Sequence, residues 1–168
     1  MTNRQRYQIT LFLPDDASAI IEGVRRVVDP VQASLIAAHV TLVRDDELPL
    51  LTAEEFSGRL MRAKGQSSPL QLIFGPPVSS VDHGILMPCT SGIVEFQALR
   101  CVMFPELQAK QLNPHITLAH PRNPKAPGNS IENTAPLNNG LTIVFRQITL
   151  IRQTDHQPWD IVRTLNLD

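Results

Sequence analysis

The four residues His39-Val40-Thr41-Leu42 recur as His115-Ile116-Thr117-Leu118, and no other feature constrains the fold of this chain as much. Each copy is His, a β-branched residue, Thr, then Leu. On a β-strand, alternation sends His and Thr to one face and the two apolar residues to the other. Both copies therefore ask for a sheet that is packed on one side and open on the other. Two such strands lying side by side present two imidazoles and two hydroxyls to one small volume, a set suited to moving protons around a phosphate. The bland alternative is two half-buried strands, each with a hydrogen-bonded His. One-sided strands rarely repeat the same polar pair, so the functional reading is preferred.

At 168 residues the chain fits one domain, read as a single bilobal unit over 1–168 whose lobes share a core. With 42% hydrophobic and 18% charged residues it has the composition of an ordinary globular protein. A formal net charge of -1 argues against an extended hold on duplex nucleic acid, which needs a basic face, while leaving room for a nucleotide or an RNA end held by a few groups. Two cysteines, Cys89 and Cys101, make no disulfide framework and suit a reducing compartment. The opening residues lead into a short alternating run rather than a signal-peptide core, and no apolar stretch approaches membrane-spanning length. A cytoplasmic monomer with no membrane contact is expected.

Periodicity predicts a strand from Tyr7 to Leu13, ended by Pro14, then a helix for which Asp15 and Asp16 supply a cap and first-turn acids, stopped at Asp29-Pro30. The first motif strand covers Ala38 to Val43, and Arg44-Asp45-Asp46-Glu47 reads as a solvated turn. Thr52 and Glu55 form a capping box for a second helix that buries Phe56, Leu60 and Met61 and stops at Gly65. Strands follow at Leu70–Phe74 and, weakened by Gly84, at Val81–Pro88. Ser91 is read as the cap of a third helix with Ile93, Phe96, Leu99, Val102 and Met103 on its apolar side, halted by Pro105. A short helical piece is placed from Glu106 to Gln111, and the second motif strand from His115 to Ala119. Residues 120–140 are rich in Pro, Asn and Gly and read as a lid, binding loop or mobile insertion. Leu141–Ile151 and Trp159–Leu167 read as two closing strands of a hairpin turning at Asp155–Pro158.

A strand and a helix precede each motif, and the two histidines lie 115 − 39 = 76 positions apart. This is a loose internal duplication. An α+β fold is expected: bilobal, related by an approximate twofold, with mainly antiparallel sheet around a central cleft and helices flanking it.

With these residues in view, the chain resembles the two-histidine phosphoesterase superfamily, in particular RNA 2′,3′-cyclic phosphodiesterases, also called 2′-5′ RNA ligases. The resemblance rests on the two intact His-x-Thr-x motifs, the opening strand ending in Pro14 with its following helix, and Asn113-Pro114 before the second motif. It implies a bilobal α+β fold and metal-independent hydrolysis of a 2′,3′-cyclic phosphate, at an RNA end or on a nucleotide, to a 2′-phosphate. Running in reverse, the same site would make a 2′-5′ linkage. The resemblance gives His115 the role of base towards water and His39 that of acid, an assignment the residues alone leave reversible.

The chemistry fits these residue types. An unperturbed imidazole titrates near neutrality, so one ring can accept a proton while the other donates one. Thr41 and Thr117 lie two residues further along each strand, roughly 6–7 Å by strand rise, placed to donate to non-bridging phosphate oxygens. No close cluster of His, Cys, Asp or Glu has metal-ligand spacing, so neither metal nor cofactor is expected. Other readings keep the site but change the substrate, to 2′-5′ oligonucleotides or a cyclic phosphate on ADP-ribose, or make the chain a non-catalytic RNA- or nucleotide-binding module. Paired acid and base groups weigh against the last.

Lesser candidates are His120 and Arg122, which can reach a phosphate or the substrate rim but as exposed loop residues are more simply solvated, and Trp159, Phe12 and Tyr7, which can stack on a base but are more simply packing residues. His83 and His156 read as surface residues beside turns. Cys89 and Cys101 read as small buried hydrophobes, with nothing nearby in sequence to activate a thiol.

Overall fold

The computed structural model describes residues 5–48, 51–63, 68–82 and 84–167. Both motifs are strands with the predicted cores: β2 is His39–Val43 and β6 is His115–Ala119, in a chain opened by β1, Gln5–Phe12. The remaining strands are β3, Leu70–Phe74; β4, Val78–Ser80; β5, Gly84–Ser91; β7, Leu141–Phe145; β8, Gln147–Thr154; and β9, Asp160–Asn166. They form one nine-stranded sheet in the order β7-β3-β5-β6-β2-β1-β8-β9, with β4 paired to β5, and every pairing is antiparallel. The motif strands sit at its centre, with three strands of the main path on either side.

The duplication is visible in the register. On β1, Thr10, Leu11 and Phe12 face Thr41, Val40 and His39; on β5, Leu86, Met87 and Pro88 face Thr117, Ile116 and His115. Each pairing then shifts at the same place, because Ile9 faces Val43 and Ile85 faces Ala119. The residue skipped is Leu42 in one half and Leu118 in the other, a β-bulge directly after each motif threonine. Both strands accordingly show the same burial, with a half-buried His, buried apolar residue and half-buried Thr followed by two buried residues.

The helices explain which face is buried. Helix α1, Asp15–Val28, turns Ile21, Val24 and Val28 inward, and α4, Ile93–Met103, turns Phe96, Leu99 and Met103 inward. Those side chains share a core with Ile9, Leu11, Val40, Leu42, Ile85, Met87, Ile116 and Leu118. Each Leu or Ile buried there contributes about 1.5–3 kcal/mol. A one-residue slip of either motif strand would exchange its apolar pair for His and Thr, so the core itself enforces the register.

Several expectations are corrected. Asp15 and Asp16 occupy the first turn of α1, where their charge complements the helix dipole, but Pro14 is the N-cap and no side chain caps it. Asp29-Pro30 ends α1 and also starts a further helix, α2, Pro30–Leu35, with the Asp29 carboxylate accepting from Gln32 N–H at 2.9 Å. In α3, Ala53–Ala63, the capping box is present: Glu55 N–H donates to Thr52 Oγ1 (3.2 Å) and Thr52 N–H to Glu55 Oε2 (2.7 Å). Phe56 and Leu60 are buried, but Met61 is 59% exposed, and the expected stop at Gly65 lies outside the described residues.

The strand expected from Val81 begins instead at Gly84, after a turn in which Val81 is 98% exposed. It extends to Ser91, so Gly92, in the left-handed region at φ 90°, is the N-cap of α4, with no side-chain cap bond. Ile93 is exposed and Val102 half-buried. The helical piece after α4 is a single 3-10 turn, Pro105–Leu107.

The predicted strand 141–151 breaks at Arg146: β7 joins β3 in one half of the sheet, while β8 joins β1 and forms the expected hairpin with β9, turning at Asp155 with φ 53°. The segment 120–140 is no open loop. It holds a 3-10 helix, Ile131–Leu137, packed against α1, and Asn129 Nδ2 donates to the C-terminal Val28 carbonyl at 2.8 Å.

Gly84 lies at the join between β5 and the second motif strand. Its φ is +69°, and a Cβ there would stand 2.0 Å from the Ala119 carbonyl oxygen. Gly84→Ala is therefore expected to destabilise the protein by about 2 kcal/mol or more, read as a fall in the urea unfolding midpoint. An unchanged midpoint would contradict this close approach of backbone to backbone.

Candidate active site

Val40 and Ile116 face each other across the β2–β6 pair, and both are fully buried. Counting outward along antiparallel strands, 40 + 116 = 39 + 117 = 41 + 115, so His39 lies across from Thr117 and Thr41 across from His115. All four predicted site residues thus share the sheet face opposite the helices, and all four are half-buried.

The two imidazoles are held in the same way. His39 Nδ1–H donates to the Ala37 carbonyl at 2.8 Å, and His115 Nδ1–H donates to the Asn113 carbonyl at 2.9 Å. In each case the acceptor is the carbonyl two residues back, where the chain enters the strand. With the proton assigned to Nδ1, Nε2 is the unprotonated nitrogen of either ring in its neutral form. Phe12, facing His39 from β1, packs its ring edge-on against that imidazole, with centroids 6.1 Å apart and planes at 68°. It supports the histidine by packing, the simpler of its two expected roles.

Burial pushes the His39 pKa from the ordinary value near 6.5 down to about 4, with the Arg25 and His115 charges adding to the effect and the Ala37 hydrogen bond opposing it. Arg25 is buried in α1, with Nη1 on the Glu22 carboxylate (2.7 and 2.9 Å) and Nη2 on the carbonyls of Ile36 (2.8 Å) and Gln32 (3.3 Å). Glu22 in turn accepts from the Ala38 N–H, directly before His39. In the other half, buried Arg100 of α4 pairs with Glu47 at 2.9 Å and donates to the carbonyls of Leu42 and Lys110. Glu47 belongs to the charge cluster expected to be a solvated turn. Against burial, which raises its pKa, the hydrogen bonds from Arg100 and Arg44 hold it below the usual carboxylate value. The two arginines tie the ends of the first motif strand to helices from both halves. Nothing local in the sequence marks Arg25 or Arg100 as buried, since their acceptors are brought in by the fold.

Thr41 has a partner that sequence reading missed. Gln8 on β1 donates from Nε2 to Thr41 Oγ1 at 3.0 Å. Two residues along β1, Thr10 is buried and donates to the Val40 carbonyl at 3.0 Å. Both were legible only as polar interruptions of an apolar strand.

The lesser candidates divide. His120 is half-buried just past β6; its N–H donates to Asp29 Oδ2 at 2.7 Å and its Nδ1 accepts from Arg122 N–H at 3.2 Å. Burial lowers its pKa, with Arg122 and Arg6 adding and Asp29 opposing. Arg122 is exposed. Trp159 lies beneath the Arg6 guanidinium, 5.1 Å from carbon to ring centroid, and its backbone N–H donates to the Leu35 carbonyl. Tyr7 packs against the core, His156 is exposed, and His83 lies outside the described residues. Cys89 and Cys101 are half-buried rather than buried, and burial pushes the Cys89 thiol up, away from nucleophilic use. Among the described residues no group of three or more His, Cys, Asp or Glu side chains could hold a metal ion, and no helix is long and apolar enough to cross a membrane. A hollow of about 330 Å³ lined by Leu60, Met61, Gln147, Thr164, Leu165 and Asn166 includes none of the site residues.

A central antiparallel pair of mirrored His/Thr strands, with helices on one face, belongs to a fold that this chain shares with solved phosphoesterase structures. The solved structures that share it include E. coli LigT complexed with phosphate, at a TM-score of 0.59 and 16% identity over 98% of each chain. A phosphoesterase crystal structure matches at 0.61 and 15%, and TT0787 of Thermus thermophilus at 0.59 and 16%, each over 96% of this chain and 97% of the other. LigT structures complexed with ATP, NADP+ and 3′-AMP match with TM-scores of 0.60. No family model matches the chain, and no curated protein does.

The folded pKa of His39 lies below its unfolded value, so between pH 6.5 and about 4 the unfolded chain takes up a proton that the folded site refuses. Stability is therefore expected to fall as pH drops through that window. Urea midpoints measured from pH 7 to pH 4 should decline, and His39→Gln should flatten the decline; an equally steep profile in the variant would place the titration elsewhere.

Proposed function

We propose that this protein is a metal-independent phosphodiesterase that opens a 2′,3′-cyclic phosphate, at an RNA end or on a nucleotide, leaving a 2′-phosphate. The observation that carries the reading is the Val40–Ile116 register, which brings His39, Thr41, His115 and Thr117 to one open sheet face. The fold shared with LigT, complexed with phosphate and with several nucleotides, supports a phosphoester of nucleotide type as substrate.

In the proposed reaction His115 Nε2 takes a proton from water, and the oxygen attacks phosphorus. The bond from phosphorus to the ribose 3′ oxygen breaks, and His39 Nε2 delivers a proton to that oxygen. Thr41 and Thr117 donate hydrogen bonds to non-bridging oxygens, where charge develops. The low pKa of His39 belongs to the protein without substrate. A phosphate anion beside Nε2 favours the protonated ring, so His39 gains its proton together with the substrate. With a 5′ hydroxyl attacking in place of water, the same sequence joins a 2′,3′-cyclic phosphate to that partner as a 2′-5′ linkage and frees the 3′ hydroxyl. His120 and Arg122, at the end of β6, supply donors for the substrate rim.

The test is a panel of nucleoside 2′,3′-cyclic phosphates and cyclic-phosphate-ended RNA, assayed with chelator present and with product regiochemistry read by NMR. Turnover with chelator and a 2′-phosphate product are expected. Replacing His39 or His115 by Ala should lower turnover by at least about 10²-fold while the circular dichroism spectrum stays unchanged. Near-full activity in either variant would defeat the two-proton scheme, and binding without any turnover would favour a non-catalytic nucleotide-binding module.

A further inference from the structure

The duplication aligns residues 76 positions apart, and it does so beyond the motifs: 115 − 39, 117 − 41 and 84 − 8 are all 76. Gln8 on β1 and Gly84 on β5 are therefore counterparts, each two residues before the position that faces the motif threonine. In the first half that position carries an amide donating to Thr41 Oγ1 at 3.0 Å. In the second half it carries no side chain, and none fits, because a Cβ on Gly84 would lie 2.0 Å from the Ala119 oxygen. The pseudo-symmetric site is unequal at its two hydroxyls.

We propose that Gln8 is a positioning residue that sets Thr41 as the fixed phosphate donor of the site, while Thr117 is the adjustable one. This rests on the reading of the site as a phosphodiesterase. A threonine hydroxyl has one proton and two lone pairs, and it rotates to suit its surroundings. The Gln8 N–H occupies one lone pair of Thr41, so the hydroxyl proton is left for another acceptor. On this face the acceptor is a non-bridging oxygen of the bound phosphate. The same N–H polarises the hydroxyl and strengthens the bond it donates. A donor already aimed where charge develops needs no reorientation during the reaction, so its benefit falls on kcat more than on KM.

The test is a double-mutant cycle on the full chain, with steady-state kinetics on a nucleoside 2′,3′-cyclic phosphate. Gln8→Leu is expected to lower kcat roughly 3- to 10-fold with little change in KM, the range a single neutral hydrogen bond supports. In a Thr41→Val background the same change should alter kcat less than about 2-fold, whereas in a Thr117→Val background it should keep its full effect. Gln8→Met, closer to Gln in shape and equally unable to donate, should match Gln8→Leu, and urea midpoints identify any variant whose loss is one of folding. A full effect of Gln8→Leu in the Thr41→Val background, or wild-type kcat in both Gln8 variants, would overturn the proposal. If the wild type turns over no cyclic phosphate, the functional reading fails by itself. The coupling is then read by calorimetry from the affinity for inorganic phosphate, whose oxygens carry the extra charge that the diester gains only during reaction; loss of affinity confined to backgrounds retaining Thr41 supports the role of Gln8, and additive losses refute it.

Discussion

One buried pair of aliphatic side chains, Val40 against Ile116, determines where His39, Thr41, His115 and Thr117 stand. The two strands are antiparallel, so this single contact fixes the register of both motifs at once. Because side chains alternate, turning Val40, Leu42, Ile116 and Leu118 into the core turns His39, Thr41, His115 and Thr117 out of it. The bulges at Leu42 and Leu118 complete the effect: after each threonine, two consecutive residues are buried, and the polar face ends there. The site's geometry is thus a by-product of apolar burial, which acts over many contacts and tolerates little slippage.

Laid over this twofold frame are differences between the halves. Both rings rest on the carbonyl two residues back, so their orientation is the same. Their surroundings are not. Arg25 supplies a positive charge that helps keep His39 neutral, and Glu22 and the Ile36 carbonyl hold that arginine in place. Removing either partner of such a buried pair generally costs about 3–5 kcal/mol, since the remaining charge stays in a poor solvent. Arg25 is therefore anchored by its own solvation needs, and its influence on His39 is correspondingly constant. Gln8 and Gly84 extend the asymmetry to the hydroxyls.

The motif strands were legible in the sequence because period-two alternation and β-branched residues coincide there, and the Thr52–Glu55 box because capping is a local contact. What was not legible depends on partners distant along the chain. Glu47 reads as part of a solvated turn until α4 delivers Arg100 to it. Arg146 looks like one residue in a continuous strand, yet the chain there passes from the β3 side of the sheet to the β1 side. Asp29-Pro30 carries a stop signal for one helix and a start signal for the next, and only the first was read. Met61 directly follows Leu60, about 100° further around the helix, and so lies beyond the buried arc of α3. Gln8 is a single polar residue in an apolar strand, whose purpose appears only once β2 lies beside it.

The segment 120–140 shows how composition misleads when its polar residues serve the backbone. Its asparagines read as loop formers, but Asn129 satisfies the Val28 carbonyl at the end of α1, and Asn123 Nδ2 donates to both Asp29 oxygens at 3.1 and 2.9 Å. Asp29 also caps α2 and accepts from the His120 N–H, and it is buried while doing so. One carboxylate therefore joins the end of α1, the start of α2 and the exit of the second motif strand. The short stretch from α2 leads directly into His39, and His120 follows directly from β6. The approach to one imidazole and the departure from the other are thereby clamped to a common point on the helical layer. Under the proposed reaction, which transfers protons between fixed nitrogens and a small anion, such bracing is an advantage, because errors of an ångström in position weaken proton transfer steeply.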